Sequence, residues 1–298
     1  PALVWRLREH ASAHAFTEAD QLQPTTFQNH EARNKTALQS TTMLTPNTSD
    51  QLPDSIDPQV LIGPVLPPGE CETRLIGIAS LTGVAAIEGA SAGLGNATDF
   101  ALLNALRVWS DAVLVGAETV RKEDYFGARV SPEKQQQRKE NGQSVAPPIV
   151  VLSRSLGFDT SSQLFSNSLA APIFAVPQDM LDTPEVAARA HDITEAGGSI
   201  LPLVDDSMRT AIEALHMHGM SRIVCEGGPQ LNTQMLNEDA VDVFHYTISP
   251  HAVLQPSEVR LFGHSDDDRN IPFVLESVKA TSDSLLFCRY RRVRDRKG

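Results

Sequence analysis

From residue 73 onward the chain alternates between two kinds of apolar pattern. Short unbroken runs at 74–80, 112–116, 149–153 and 172–176, with a weaker one at 199–203, are too brief for helices and have the continuous apolar character of strands buried on both faces. Between them lie stretches with helical spacing. Leu102, Leu103, Leu106 and Trp109 form one apolar stripe and predict a helix over 98–109, capped by Asn96 or Thr98. Met208, Ala211, Ile212 and Leu215 predict another over 207–218, ended by Gly219. Helical character also follows Asp182 and Thr183 at 184–190, and the charged, glutamine-rich stretch 131–143 reads as a surface helix or excursion. Strands separated by helices make βαβ units and a mostly parallel sheet.

The pattern changes in the last third of the chain. Ile223-Val224-Cys225 is a buried-type strand that runs into Glu226-Gly227-Gly228-Pro229 and then a helix over 230–236. Glycines let the backbone approach a ligand closely, and a helix N-terminus presents N–H groups to negative charge, so this junction is a candidate phosphate site. Residues 241–248 alternate as a half-exposed strand does. The runs 273–280 and 285–290, joined by Thr281-Ser282-Asp283-Ser284, predict a terminal antiparallel hairpin. The expectation is a single α/β domain over 72–298.

The first seventy residues differ. They are rich in Gln, Thr, Asn, Ser and His, and prolines at 46, 53, 58, 64, 67 and 68 break any period. Residues 1–45 are expected to be a disordered or loosely docked tail, because such a composition buries too little apolar surface to offset ordering. Met43 is then a candidate translation start, which an intact upstream peptide in the native protein would overturn. Residues 46–71 read as an extended arm leading into the domain.

Composition narrows the function classes. The net charge of −12 argues against a nucleic-acid or anionic-membrane surface. No run has the length of a transmembrane helix, and residues 2–16 lack a basic start and a continuous apolar core, so they make a poor signal peptide. Cys71, Cys225 and Cys288 are far apart and odd in number, which points to a reducing cytoplasm without a disulfide framework. The first strand is followed by no G-x-G-x-x-G, and a P-loop and a zinc-deaminase signature are also missing. His216 and His218 lie two apart and point to different helix faces, so they make a poor metal pair. Asp266-Asp267-Asp268 is most simply a solvated loop.

Three positions carry ambiguous chemistry. Glu226, at the end of an apolar strand, either caps a loop or faces a ligand at the carboxyl end of the sheet. Arg107 is either a surface charge or a phosphate clamp at its helix end. Ser153-Arg154-Ser155, following a strand, is either a polar turn or a 2′-phosphate site.

Read together, these segments resemble a known family. Ser80-Leu81-Thr82-Gly83, Leu94-Gly95, Leu106-Arg107, the run from Asp111 through Gly116-Ala117-Glu118-Thr119-Val120-Arg121, Glu226-Gly227-Gly228-Pro229-Gln230-Leu231 and Thr247-Ile248-Ser249-Pro250 are similar, in order and spacing, to the pyrimidine reductase domain of bacterial riboflavin biosynthesis. The resemblance covers about 72–292 and is nearest to stand-alone actinobacterial members. It implies a dihydrofolate-reductase-like, three-layer α/β/α fold, NADPH as cofactor, a phosphorylated pyrimidine or pteridine as substrate and a homodimer. It places Gly116, Thr119, Glu123, Ser153 and Arg154 on the cofactor, with Gly227, Gly228, Pro229, Gln230 and Leu231 around the pyrophosphate and Ala79 and Gly93 completing the contacts. Glu226, Arg107, Ser91 and Thr82 fall on the substrate side. Two departures stand out: Thr82 replaces the family's acid and Val84 its lysine, and the glycine pair after Ser249-Pro250 is replaced by 253–256.

Overall fold

The computed structural model describes residues 51–67, 69–87, 91–122, 125–255, 259–265 and 268–294; the expected tail at 1–45 lies outside them. In chain order the elements are α1 (Pro58–Ile62), β1 (Glu72–Ser80), α2 (Ala97–Trp109), β2 (Ala112–Gly116), α3 (Ala117–Lys122), α4 (Pro132–Glu140), β3 (Ile149–Leu152), α5 (Gln163–Ser166), β4 (Ile173–Pro177), α6 (Gln178–Leu181), α7 (Pro184–Glu195), β5 (Ser199–Leu203), α8 (Met208–Met217), β6 (Arg222–Gly227), α9 (Pro229–Asn237), β7 (Val243–Ser249), β8 (Phe273–Ala280) and β9 (Leu286–Arg292). A short 3₁₀ turn, Ser91–Gly93, precedes α2. The arm expected to be extended contains one helical turn, α1, capped by Asp57 and started by Pro58, a combination that favours a turn even in a polar stretch.

The strands form one nine-stranded sheet in the order β5-β4-β3-β2-β6-β1-β7-β9-β8. Pairing is parallel from β5 to β7 and antiparallel for β7–β9 and β9–β8. The buried runs of β1 and β2, in which Gly116 alone is half-buried, supply the middle of the sheet, as their apolar sequence predicts. Helices cover both faces. Leu102, Leu103, Leu106 and Trp109 of α2 join Ile76, Ile78, Val113, Val115 and Val224 in one core. Met208, Ala211, Ile212 and Leu215 of α8 and Leu231 and Met235 of α9 join Leu75, Leu114, Ile223 and Cys225 in the other. Together they make the three-layer, dihydrofolate-reductase-like α/β/α architecture.

The crossing order places the site. The chain leaves β1, skips a strand position to β2, builds outward to β5 and returns with β6 into the space between β2 and β1. Ligands of open α/β sheets bind where strand order reverses, at the strands' carboxyl ends. The carboxyl end of β6 is Glu226-Gly227.

Candidate active site

The β6–α9 junction is built on backbone conformations that side chains resist. Gly227 and Gly228 have φ of 90° and 77°, in the left-handed region that glycine enters at little cost. A Cβ at Gly228 would come within 2.8 Å of Thr119 Oγ1. Gly228 caps α9 with no side-chain hydrogen bond, and Pro229 begins the helix. The first N–H groups of a nine-residue helix therefore open toward a cavity of about 380 Å³, lined by Gly116, Thr119, Lys122, Gly228, Gln230 and Gln234 among others.

This cavity gathers most of the expected cofactor residues: Gly116 at the end of β2, Thr119 in α3, and Gly228, Pro229, Gln230 and Leu231 around the start of α9. Gly227 sits behind them, its backbone carbonyl 3.5 Å from where a Cβ on Gly116 would stand. Ser153 follows Leu152, which lines the cavity; its Oγ accepts from the Leu156 amide and is 3.4 Å from Arg121 Nη2. Arg121 also donates to Ser155 Oγ and lies 4.9 Å over the Phe158 ring, gathering the polar turn around one cation. Arg154 points outward into an exposed ion pair with Asp206. Ala79 is buried near the end of β1 and Gly93 ends the 3₁₀ turn, both away from this cavity. Glu123 lies outside the described residues.

On the α2 face, Glu226 and Arg107 meet each other. Pairing between β2 and β6 slips at this point: Leu114 pairs with Cys225 but Val115 pairs with Gly227, so Glu226 is the extra residue of a bulge. The bulge sets Glu226 beneath the last turn of α2. Arg107 Nε and Nη2 approach Glu226 Oε1 and Oε2 at 2.5 and 2.6 Å, a bidentate pair, and the Tyr125 hydroxyl donates to Oε2 at 2.8 Å. Both residues of the pair are buried. Burial alone would lower the Arg107 pKa, but the attraction of Glu226 and then of Tyr125 outweighs it and raises it. Arg107 Nη1 has no acceptor among the described residues. The α2 end that carries Arg107 is tied down by Arg138, whose Nη1 donates to the carbonyls of Arg107, Val108 and Ser110.

Beside this pair lies a small cavity of about 30 Å³, floored by Ile76, Gly77 and Ile78 of β1 and walled by Ser91, Asp99, Leu103 and Glu226. Ser91 is completely buried and its Oγ has no hydrogen-bond partner among the described residues. Thr82 is engaged elsewhere: its hydroxyl donates to Val253 O at 2.7 Å, lies 2.9 Å from Ser80 Oγ and accepts from the Val253 amide. The two departures from the family pattern are thus in contact, Thr82 fastening the 82–84 turn to the segment that replaces the glycine pair. Val84 is buried and bridges to Arg260. Sequence reading missed Tyr125, Asp99, Lys122 and Arg138.

The class comes first: a dihydrofolate-reductase-like α/β protein with a glycine-made cradle of backbone N–H groups at the reversal of its strand order. Residues 76–287 match the RibD C-terminal domain family, and the chain belongs to that family. A pyrimidine reductase-like protein from Corynebacterium diphtheriae is 35% identical, aligned over 80% of this chain and 99% of that one with a TM-score of 0.70. RibD of Acinetobacter baumannii aligns over 76% of this chain at 18% identity and a TM-score of 0.59, and only 58% of that protein is covered. The riboflavin biosynthesis reductase Rib7 of Saccharomyces cerevisiae aligns over 82% of this chain and 97% of its own at 14% identity, with a TM-score of 0.51. The last two share the fold. No curated protein matches the chain.

Proposed function

We propose that this protein is an NADPH-dependent reductase of the riboflavin-pathway type, acting on a phosphorylated pyrimidine such as 5-amino-6-(5-phosphoribosylamino)uracil. The observation that carries the reading is the uncapped start of α9 behind two positive-φ glycines, opening on the Gly116–Thr119 wall. That cradle fits a dinucleotide pyrophosphate: backbone donors, space where a Cβ would collide with Thr119, and Lys122 at the rim. Arg121, held against Ser153 and Ser155, fits a 2′-phosphate and so favours NADPH over NADH. Bound there, the cofactor supplies a hydride to a polarised C=N or C=O carbon.

The chain's own residues do the rest. Glu226 is held by Arg107 and Tyr125, so it orients a donor on the substrate ring from a fixed position. Arg107 Nη1 is left for a substrate oxygen. The relatives' names describe reductases and pyrimidine chemistry, which agrees with this assignment. The exposed β8, at the end of the sheet, carries Val274, Leu275 and Val278 on its surface, which suits pairing with a second copy in a homodimer. The three cysteines are free, which suits a reducing cytoplasm. No helix among the described residues is long and apolar enough to cross a membrane.

The test is titration with NADPH and NADH followed by absorbance on adding the pyrimidine phosphate, with dihydrofolate in parallel. NADPH binding with pyrimidine turnover is the expected result. Turnover of dihydrofolate alone would move the substrate to the pteridines, binding without turnover would leave a cofactor-binding module, and no binding would sink the reading.

A further inference from the structure

The cavity at the Arg107–Glu226 pair contains a second carboxyl that the reading above does not use. Asp99 sits in the first turn of α2, buried, and its amide is taken by the capping Asn96 side chain. Its carboxyl receives one hydrogen bond, from Thr247 Oγ1 on β7 at 2.6 Å, and has no cationic partner among the described residues. Leu102, Leu103 and Leu106 follow it on the same helix face, so an acid occupies the start of an apolar stripe. Across the cavity stands Ser91, whose completely buried Oγ has no partner among the described residues. About 30 Å³ is room for one water, and Asp99, Ser91 and Glu226 give it three polar neighbours.

We propose that Asp99 holds the proton that completes the reduction and passes it through one water, held between Asp99, Ser91 and Glu226, to the substrate. The inference rests on the reductase reading. Hydride addition to a C=N or C=O carbon moves the π pair onto the heteroatom, which then takes a proton from the water. The water takes the proton of the Asp99 carboxyl, and the carboxylate is reprotonated from solvent. The hydride comes from reduced nicotinamide, so electrons and protons balance. Glu226, bound to Arg107 and Tyr125, has its charge committed and is the poorer source.

The surroundings support a stored proton. Burial raises the Asp99 pKa to about 6, against the opposing Thr247 hydrogen bond. β1 contributes no titratable group to the cavity, β6 contributes the paired Glu226, and the 3₁₀ turn contributes Ser91. His245, two residues before Thr247 on β7, faces Arg74 instead and is pushed well below the usual histidine range by burial and the nearby arginines. A carboxyl that titrates near 6 is matched to proton transfer near neutral pH.

The experiment compares the wild type with Asp99→Asn, Asp99→Glu and Ser91→Ala. Infrared difference spectra of the cofactor-free protein, with Asp99→Asn as reference, are expected to show a carboxylic-acid band that fades around pH 6. Turnover is expected to fall about 10²–10⁴-fold in Asp99→Asn, the usual worth of a positioned acid, with NADPH affinity unchanged. Asp99→Glu should recover part of it. Wild-type kcat should decline as pH rises through 6, a decline that Asp99→Asn lacks, and Ser91→Ala should lower kcat more than it changes KM. Wild-type rates in Asp99→Asn, or no titrating band, would overturn the assignment while leaving the reductase intact. A wild type that binds NADPH but reduces nothing would overturn the reductase reading itself, and this one with it.

Discussion

Two buried arginines on the same side of the sheet invite comparison. At the amino end of β1, Arg74 donates to Glu72 Oε2 at 2.7 Å and to the carbonyls of Ile62 and Pro64 at 2.8 Å each, and lies 4.3 Å under the Trp109 ring. Arg291 holds the other oxygen of Glu72. At the carboxyl end of β6, Arg107 grips Glu226 beside Tyr125. Their pKa values move in opposite directions. Burial dominates at Arg74 and lowers it despite Glu72, whereas at Arg107 the attraction of Glu226 and Tyr125 overcomes burial. The first cluster is closed: every nitrogen of Arg74 is used, and the result clamps the 58–64 segment to the sheet. The second is open: among the described residues Ser91 Oγ has no partner and Asp99 has a single hydrogen bond, and both line a cavity beside Glu226. A buried ion pair alone does not mark a site; polar capacity left unspent beside a cavity does.

The comparison can be broken most forcefully at the closed end. Glu72→Ala takes from the buried Arg74 its only carboxylate partner, while Arg291 keeps Glu276, and should cost about 3–5 kcal/mol in urea unfolding, as losing one partner of a buried pair does, with NADPH affinity of the folded protein unchanged. A loss under about 1 kcal/mol, the scale of a surface pair, would mean the clamp is dispensable. At the open end, Gly228→Asp puts a side chain within reach of Thr119 and a like charge against the pyrophosphate. It should weaken NADPH binding at least about 100-fold, or roughly 2.7 kcal/mol, and unchanged affinity by fluorescence titration would show that the cofactor does not lie in the cradle.

Asp99 sharpens the contrast by pH. Its folded pKa, about 6, stands above the ordinary 3.8. The folded state therefore holds the proton longer, and stability falls as pH rises from 3.8 through 6. Asp99→Asn should accordingly stabilise the protein by about 2–3 kcal/mol at pH 8, with the gain vanishing toward pH 4. A pH-independent difference in denaturation midpoint would contradict the raised pKa. The smallest effect is expected for Tyr125→Phe, which removes a 2.8 Å hydrogen bond to a carboxylate already held twice by Arg107, and with it a long 3.3 Å bond accepted from Arg107 Nη2. A loss of about 1 kcal/mol is the ordinary worth of such a bond; a loss as large as that of Glu72→Ala would show that Tyr125 is structural in its own right.

Much of this is legible in the sequence. The runs at 112–116 and 149–153 became central parallel strands because an element covered on both faces must be apolar throughout, which is a local property of the chain. The glycines at 227 and 228 were equally legible, since left-handed backbone demands them. Asp99 is half legible: it precedes Leu102, Leu103 and Leu106 at helical spacing, and an acid at the start of an apolar stripe stands out. Tyr125 lies in an irregular segment with no period, and nothing local sets it apart. Arg138 sits in a polar, glutamine-rich helix, yet its guanidinium ends buried against the carboxyl terminus of α2.

By itself, then, the sequence determined the strands, the helices around them and the backbone cradle, because periodicity and positive-φ glycines are written residue by residue. Tertiary structure alone decided the partners. A one-residue bulge set Glu226 against Arg107, 119 positions earlier. The fold drew Tyr125 onto the same carboxylate, and it enclosed Asp99 and Ser91 around one small cavity. Those are distances across the sheet, and no spacing along the chain encodes them.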